Sequence, residues 1–339
     1  MRWRGCLCTV GQVVHTLPEG PVIAGVTSLG DEVFVLRERE RDRVEVYDVI
    51  TYRLLRCLTL WNVCEFADMT SCEHYHCVYI ADHIVMCIHR VDVQGGATTQ
   101  WAVNNEPYSI SVTKAHNVLV TCPFVRKIKE FSSHGALLRE MTLPDDVIYP
   151  GHAIQLTTGQ YVVCHCSVRD AVHRVSVMSA DCTHIVHTHG GHRGSDPGQY
   201  NEPVHLAVDD NEFVFVADEF NRRVTLLSPT LNFVRQVVSS DNLKRCPRYL
   251  HIDAQRRRLY VADIDEKCMS ALERVVVFSV LTVVCFSLPV LMYGLDVCPS
   301  ISGDRHSLQF SVNRIIYKIF GARAVKLVNW YTLCGAVNY

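Results

Sequence analysis

The chain has 339 residues, 48% of them hydrophobic, with 33 basic and 35 acidic side chains and a formal net charge of −2. That length and apolar content suit one large domain or two ordinary ones with a sizeable core, which is an ordinary globular composition. The near balance of charge excludes a chain that binds polyanions through its overall charge.

The first residues, "MRWRGCLCTVGQVVHTLPEG", carry two arginines but lack the apolar stretch of about 7–15 residues that a secretory signal needs. A cytoplasmic location is therefore expected. The sixteen cysteines are scattered over strand-like segments and no Asn-x-Ser/Thr sequon occurs, so they read as reduced, mostly buried thiols.

From residue 20 onward one unit recurs. Each copy opens with a strand: "VIAGVTS" from Val22, "EFADMTS" from Glu65, "YSISVTK" from Tyr108, "HAIQLTT" from His152, "VHLAVDD" from Val204 and "RYLHIDA" from Arg248. Five of these follow a proline, at Pro21, Pro107, Pro150, Pro203 and Pro247. A second strand of the Val/Tyr/Phe type follows, as "EVFVL", "CVYIAD", "NVLVTC", "QYVVCH", "FVFVAD" and "RLYVAD". A basic residue before a β-branched one opens the third strand, at Arg43, Arg90, Lys127, Arg174, Arg223 and Arg274, at intervals of 47, 37, 47, 49 and 51 residues. Five units then add a fourth strand: "RLLRCLTL", "ATTQWAV", "ALLREMTL", "HIVHTH" and "FVRQVV".

Four antiparallel strands per unit with short turns describe a propeller blade, and six units predict an all-β, six-bladed propeller over residues 10–280. The sixth unit lacks a fourth strand, and "QVVHTL" at Gln12–Leu17 reads like "HIVHTH". Closure by that N-terminal strand is expected, with Val13, Val14 and Leu17 beside Val275–Ser279, because it would pair edges that are otherwise exposed.

The stretch "GSDPGQYNEPVHLAVDDNEFVFVADEFNRRVTLLSP", Gly194 to Pro229, resembles the NHL repeat in its Pro-Gly-Gln-aromatic, Val-Ala-Asp and Asn-x-Arg-Val elements. Unit six keeps part of the pattern and units one to four keep little beyond strands and basic residue, so the resemblance spans roughly residues 10–280 with one specific copy. It implies a non-catalytic recognition platform, as in tripartite-motif/NHL proteins, for a protein partner or for single-stranded RNA. Those proteins often carry a RING, B-box and coiled coil; none precedes this propeller, so a part in ubiquitin transfer would need catalysis from another chain.

The repeated basic residues invite one shared task, pairing with acids such as Asp82, Asp218 and Asp263 or with loop carbonyls. "RERERDR" at Arg37–Arg43 alternates sign and reads as a solvated loop. "CEHYHC" at Cys72–Cys77, "CHC" at Cys164–Cys166 and "HIVHTHGGH" at His184–His192 hold zinc-type ligands, but alternating strand faces separate them and no second pair has finger-like spacing. No metal site, cofactor or catalytic residue is expected. No nucleophile elbow, phosphate loop or dinucleotide fingerprint occurs. A metal-dependent hydrolase or lyase is the third reading, weakened by the few carboxylates on the first strands.

Loops between second and third strands and between blades should gather on one face, which would present Arg126, Tyr149, Arg169, Arg193, Tyr200, Arg222, Lys244 and Arg245. Cations interleaved with aromatics suit single-stranded RNA. Against it, residues up to Val280 contain 28 basic and 33 acidic side chains. A protein partner and a monomeric state are the leading expectations.

The apolar run "RVVVFSVLTVVCFSLPVLMYGLD" begins as the third strand of unit six, leaving Val280–Leu295, interrupted by Pro289 and shorter than the roughly 17–25 residues of a spanning helix. The tail, 281–339, matches no repeat and places Val312, Ile315, Ile316, Ile319 and Phe320 at helical spacing opposite Arg314 and Lys318. Membrane contact, if any, would come through this tail.

Overall fold

The computed structural model describes residues 13–18, 23–37, 43–60, 66–167, 172–243, 245–264 and 274–279. The chain divides into two units, Met1–Leu281 and Thr282–Tyr339. Every described residue belongs to the first, so the expectations for the tail lie outside the described residues, as do Arg169 and Lys244.

Alternating apolar strands joined by tight turns build six four-stranded antiparallel sheets. A short strand β1 (Val13–Thr16) comes first. Blade one is β2 (Ile23–Leu29), β3 (Glu32–Arg37), β4 (Arg43–Asp48) and β5 (Leu54–Thr59); blade two is β6 (Phe66–Cys72), β7 (Cys77–Asp82), β8 (Cys87–Asp92) and β9 (Thr98–Ala102). Blade three is β10 (Ser109–Val112), β11 (Val118–Cys122), β12 (Lys127–Phe131) and β13 (Leu137–Thr142); blade four is β14 (Pro150–Gln155), β15 (Tyr161–Ser167), β16 (Val172–Met178) and β17 (Ile185–His192). Blade five is β18 (Pro203–Val208), β19 (Val214–Asp218), β20 (Arg223–Leu227) and β21 (Phe233–Val238). The last sheet joins β22 (Cys246–Asp253), β23 (Arg258–Ile264) and β24 (Arg274–Ser279) to β1.

β1 lies antiparallel to β24, with Val13 opposite Phe278 and Thr16 opposite Val276. The N-terminal strand thus closes the ring as the unit count requires. Leu17 leaves the strand and buries itself, 1% exposed, against blades one and six. The first strands pack side by side in a closed circuit, β2 against β6, β6 against β10, and so on through β14, β18 and β22 back to β2.

The core is six apolar layers, one between each pair of neighbouring blades. Both faces of a blade are therefore covered, which is why central strands such as β7 (CVYIAD) and β19 (VFVAD) are buried at every residue. The outer strands carry alternating exposure, as in β5. Gly25 marks a close approach of blades one and two: a Cβ there would lie 2.7 Å from Cβ of Met69.

Three expectations are corrected here. The register of blade two pairs Asp82 with Cys87, so Cys87, not Arg90, holds the repeat's basic position, and Arg90 sits three residues further on opposite Tyr79. Arg37 is not part of a solvated loop: it is buried, donates from Nε to Glu45 Oε2 at 2.9 Å and from Nη2 to the carbonyl of Pro18. Residues 38–42 lie outside the described residues. His184 precedes β17 instead of belonging to it, whereas His192 is inside that strand, opposite Val172.

The described cysteines are free thiols. Among the described residues no helix is long and apolar enough to cross a membrane; the helical pieces described are two single turns, Pro123–Val125 and Glu219–Asn221.

Candidate functional site: the mouth of the central channel

The turns between second and third strands, together with the segments that lead into each first strand, meet at one end of the ring. In blades two, three and five that turn is four residues long and ends on a left-handed residue, Met86 (φ 53°), Arg126 (φ 52°) and Arg222 (φ 48°). The turn in blade five is organised by buried Asp218. It accepts the N–H of Asn201 at 2.7 Å, the amide of Asn221 at 2.8 Å and Nε of Arg223 at 2.7 Å. Arg223 also donates to the carbonyls of Ser195 and Gln199. The next two peptides then lock together, Glu219 N–H on the carbonyl of Glu202 and Phe220 N–H on that of Asn201. The residues that most resemble the NHL repeat thus hold Glu202, Glu219 and Phe220 in one wall.

That wall bounds a cavity of about 340 Å³, completed by Tyr108, Tyr149, Gly151, Cys166, Pro203, Val204 and Arg248. The aromatic side runs outward, since the Tyr149 ring lies 5.9 Å from Tyr108 and 5.4 Å from Phe124. Burial works against the charge of Arg248, but Tyr249, Glu219 and Tyr108 outweigh it and raise the guanidinium above its ordinary value. Burial, then the Glu202 and Glu219 carboxylates, push the Cys166 thiol up to about 12. Both causes favour the neutral thiol, the weaker nucleophile, at Cys166.

One layer deeper, register equates Gly25, Asp68, Ser109, His152, His205 and Tyr249 on the six first strands. Three of them converge: ligand atoms of Asp68, His152 and His205 lie within 4.8 Å of one another, all buried. This is the one described trio whose residue types fit a metal ion, and none of the histidine or cysteine fragments noted in the sequence belongs to it. Its hydrogen bonds say what it does without one. Asp68 accepts the N–H of Met69 at 2.8 Å and of Ile110 at 2.9 Å, and His205 Nε2 lies 3.3 Å from Oδ2. Leu250 N–H donates to Nδ1 of His205, which puts the imidazole proton on Nε2, facing Asp68. The His152 and His205 rings are stacked at 3.9 Å with 19° between planes, so they do not aim two in-plane lone pairs at one point. Burial, then His205, holds His152 well below the ordinary imidazole value. The trio reads as a polar tie between blades.

Of the eight residues expected on the ligand face, Tyr149 lines the cavity and Arg126 stands beside it, paired with Asp145 at 2.6 Å. Arg222 and Arg193 are exposed, and Arg245 gives its N–H to Asp263. Tyr200 is a correction: at 1% exposure it belongs to the core between blades four and five. Its place in the repeat, after Gln199, is a packing position and not a recognition one. The repeated cations also diverge. Arg223 meets Asp218, but Arg43 meets Glu45, Lys127 meets Glu140, and Arg174 has a buried Nε with no hydrogen-bond partner. Asp82 serves backbone N–H groups of its own turn, at Ile84 and Val85. The missed cavity residues were legible in one respect: "NEP" occurs at Asn105–Pro107 and again at Asn201–Pro203, placing Glu106 and Glu202 at equivalent entries to first strands.

No family model and no curated protein matches the chain. The NHL resemblance therefore stands on the residues of one unit. Solved structures do match. The β-propeller domain of Cps50 (Swd1) from Myceliophteria thermophila superposes with a TM-score of 0.56 at 11% identity, covering 80% of this chain and 99% of that one. Hydrazine synthase of Kuenenia stuttgartiensis gives 0.57 at 12% identity, covering 79% and 98%. Virginiamycin B lyase from Staphylococcus aureus gives 0.52 at 10%, covering 77% and 85%. At such identities these likenesses establish one thing: the chain is a β-propeller of four-stranded antiparallel blades.

Proposed function

We propose that this six-bladed propeller is a non-catalytic platform that binds a partner protein at the mouth of its channel. The observation that carries the reading is the apolar surface of that end. Phe124 is 64% exposed and Val125 and Tyr149 stand beside it, while Ile84, Val85 and Met86 occupy the equivalent turn of blade two. Large apolar side chains are also exposed elsewhere, at Ile50 and on outer strands at Leu54, Leu55, Leu137 and Leu138, but those of this end sit in turns, with Phe124 packed on the cavity residue Tyr149, and an apolar patch beside a cavity marks an interaction site. The neutral Cys166 thiol supports a binding role over nucleophilic chemistry.

The test places a photo-crosslinking residue at Phe124 or at Leu138 on an outer strand. A specific protein crosslink at position 124, absent at 138 and lost when Ile84→Asp and Val85→Asp are added, supports the platform. Equal crosslinking at both positions, or none, overturns it. Ubiquitin remnants on the captured partner would extend the role to a ubiquitin-ligase system. Single-stranded RNA is the alternative ligand, and among the described residues of the cavity lining Arg248 is the one cation it would meet. An RNA complex that weakens steeply with salt would favour that reading.

A second reading, a metal-dependent hydrolase or lyase, rests on Asp68, His152 and His205. Stoichiometric metal in protein purified without added metal, removed by Asp68→Ala, would favour it.

A further inference from the structure

We propose that Cys72 and Cys77 are a modification site, a pair of facing thiols that hydrogen peroxide closes into a disulfide. Register carries the inference. Cys72 is the last residue of β6 and Cys77 the first of β7, and the two lie directly opposite one another across the antiparallel pair. Facing Cα atoms in such a pair are about 4.5 or about 5.5 Å apart, according to whether the residues exchange backbone hydrogen bonds, and both separations fall within the roughly 4.4–6.8 Å that a disulfide spans. Both side chains enter the apolar layer between blades two and three, so they leave the sheet on one side. No other two of the described cysteines are register partners; Cys122, in the same layer, faces Lys127.

The surroundings favour reaction at this pair. Arg90 stands opposite Tyr79, two residues along β7 from Cys77 and therefore on the same face. Burial works against the Arg90 guanidinium, but Cys77 and Tyr79 outweigh it and raise it above its ordinary value. A guanidinium beside a thiol stabilises the thiolate, which is the reacting form. Burial raises the Cys72 thiol, while the N–H groups of Tyr75 and His74 pull it the other way. The pair is thus quiet while its cover is closed. That cover is a single turn, in which Glu73, His74 and His76 are exposed and His76 N–H donates to the carbonyl of Glu73 at 3.3 Å. Opening so short and exposed a turn costs far less than global unfolding and admits a small oxidant. The same turn leans on blade three through the stacked rings of His74 and His116, 4.2 Å apart, so the bond would fix that seam.

The Cys77 thiolate attacks one peroxide oxygen; the O–O bond breaks, the sulfur becomes a sulfenic acid, and the departing hydroxide takes up the proton the thiol released. Cys72 then attacks that sulfur as its thiolate, the S–S bond forms, the S–O bond breaks, and a second water leaves in the same way. Two thiols lose two electrons and one peroxide is reduced to two waters. The test treats the folded full chain with hydrogen peroxide, alkylates the remaining thiols and cleaves after glutamate, which parts Cys72 from Cys77 at Glu73. A disulfide joining the two peptides is expected, formed at least about tenfold faster than any oxidation of Cys122 and reversed by dithiothreitol. Cys77→Ser should abolish the link and Cys122→Ser should leave it, with Cys77→Ala in reserve where Cys77→Ser does not fold. No link, a link that persists in the Cys77 variant, equally fast oxidation of Cys122, or a bond that forms only once near-UV circular dichroism shows tertiary structure lost would overturn the inference.

Discussion

Asp218 shows how much one side chain of a repeat can carry. It is fully buried and accepts from Asn201, Asn221 and Arg223 at once. Asp218→Ala would remove the counter-charge of Arg223 and leave its Nε and the Asn201 N–H without their acceptor, while Arg223 keeps the Ser195 and Gln199 carbonyls and Asn221 that of Gly194, so a loss of about 3 kcal/mol in urea unfolding is expected, as for other buried ion pairs broken on one side. The pattern Asp-x-x-Asn-x-Arg was visible in the sequence, but what it builds was not. Chain order does not say that the turn leans on residues 201–202. Buried histidines give a second outcome at this scale. Burial, then Arg174, brings His165 down to about 4; burial also brings His251 to about 4, against a smaller opposing pull from Asp253. Because both folded values lie below the unfolded one, their stabilisation is complete above about pH 6.5 and is lost as the pH falls toward 4. Urea midpoints should therefore fall between pH 7 and pH 5, and His165→Gln, which keeps a partner for Ser176, should flatten that slope by up to about 1.4 kcal/mol per pH unit. An unchanged slope would mean that His165 charges without cost.

At the level of elements, the six-unit count and the closing strand could be read from the chain because strand periodicity and the missing fourth strand are local facts. Register could not. In blade two a basic residue three positions late looks like its counterparts, and only the pairing of Asp82 with Cys87 reveals the slip. The closing strand gives a test of its own energetics. Val14 is 40% exposed, whereas Leu17 fills the layer between blades one and six. Leu17→Ala is expected to cost about 2–4 kcal/mol and Val14→Ala less than about 0.5 kcal/mol, measured by urea midpoints. Comparable losses at both positions would mean that β1 contributes through its pairing and not through the apolar side chain it delivers. Gly25 sets the complementary limit: Gly25→Ala must push β6 away from β2, because the new Cβ overlaps Met69 backbone as well as its side chain. A loss of about 1–3 kcal/mol follows from overpacking a site that cannot yield by rotamer change alone.

Across the whole molecule the apolar layers hold each blade to its neighbours, while the polar ring inside them spans several blades. Asp68 on blade two takes a backbone N–H from blade three and faces the histidine of blade five, which in turn takes a backbone N–H from blade six. That reach across the axis escaped the sequence reading because the participants are far apart in the chain and each looks unremarkable within its strand. Two substitutions separate a hydrogen-bonded tie from a metal site. Asp68→Asn keeps one acceptor oxygen and replaces the other with a donor, leaving one of the three donors opposed, so a loss of about 1–3 kcal/mol is expected. Asp68→Ala leaves all three without an acceptor and should cost more. If the tie alone operates, a chelator leaves the wild-type unfolding midpoint where it was and both variants unfold in a single transition, because the ring has no blade that can leave alone. If a chelator instead lowers the wild-type midpoint to that of Asp68→Ala and leaves the variants unmoved, the three residues hold a metal ion, and the second functional reading displaces the first.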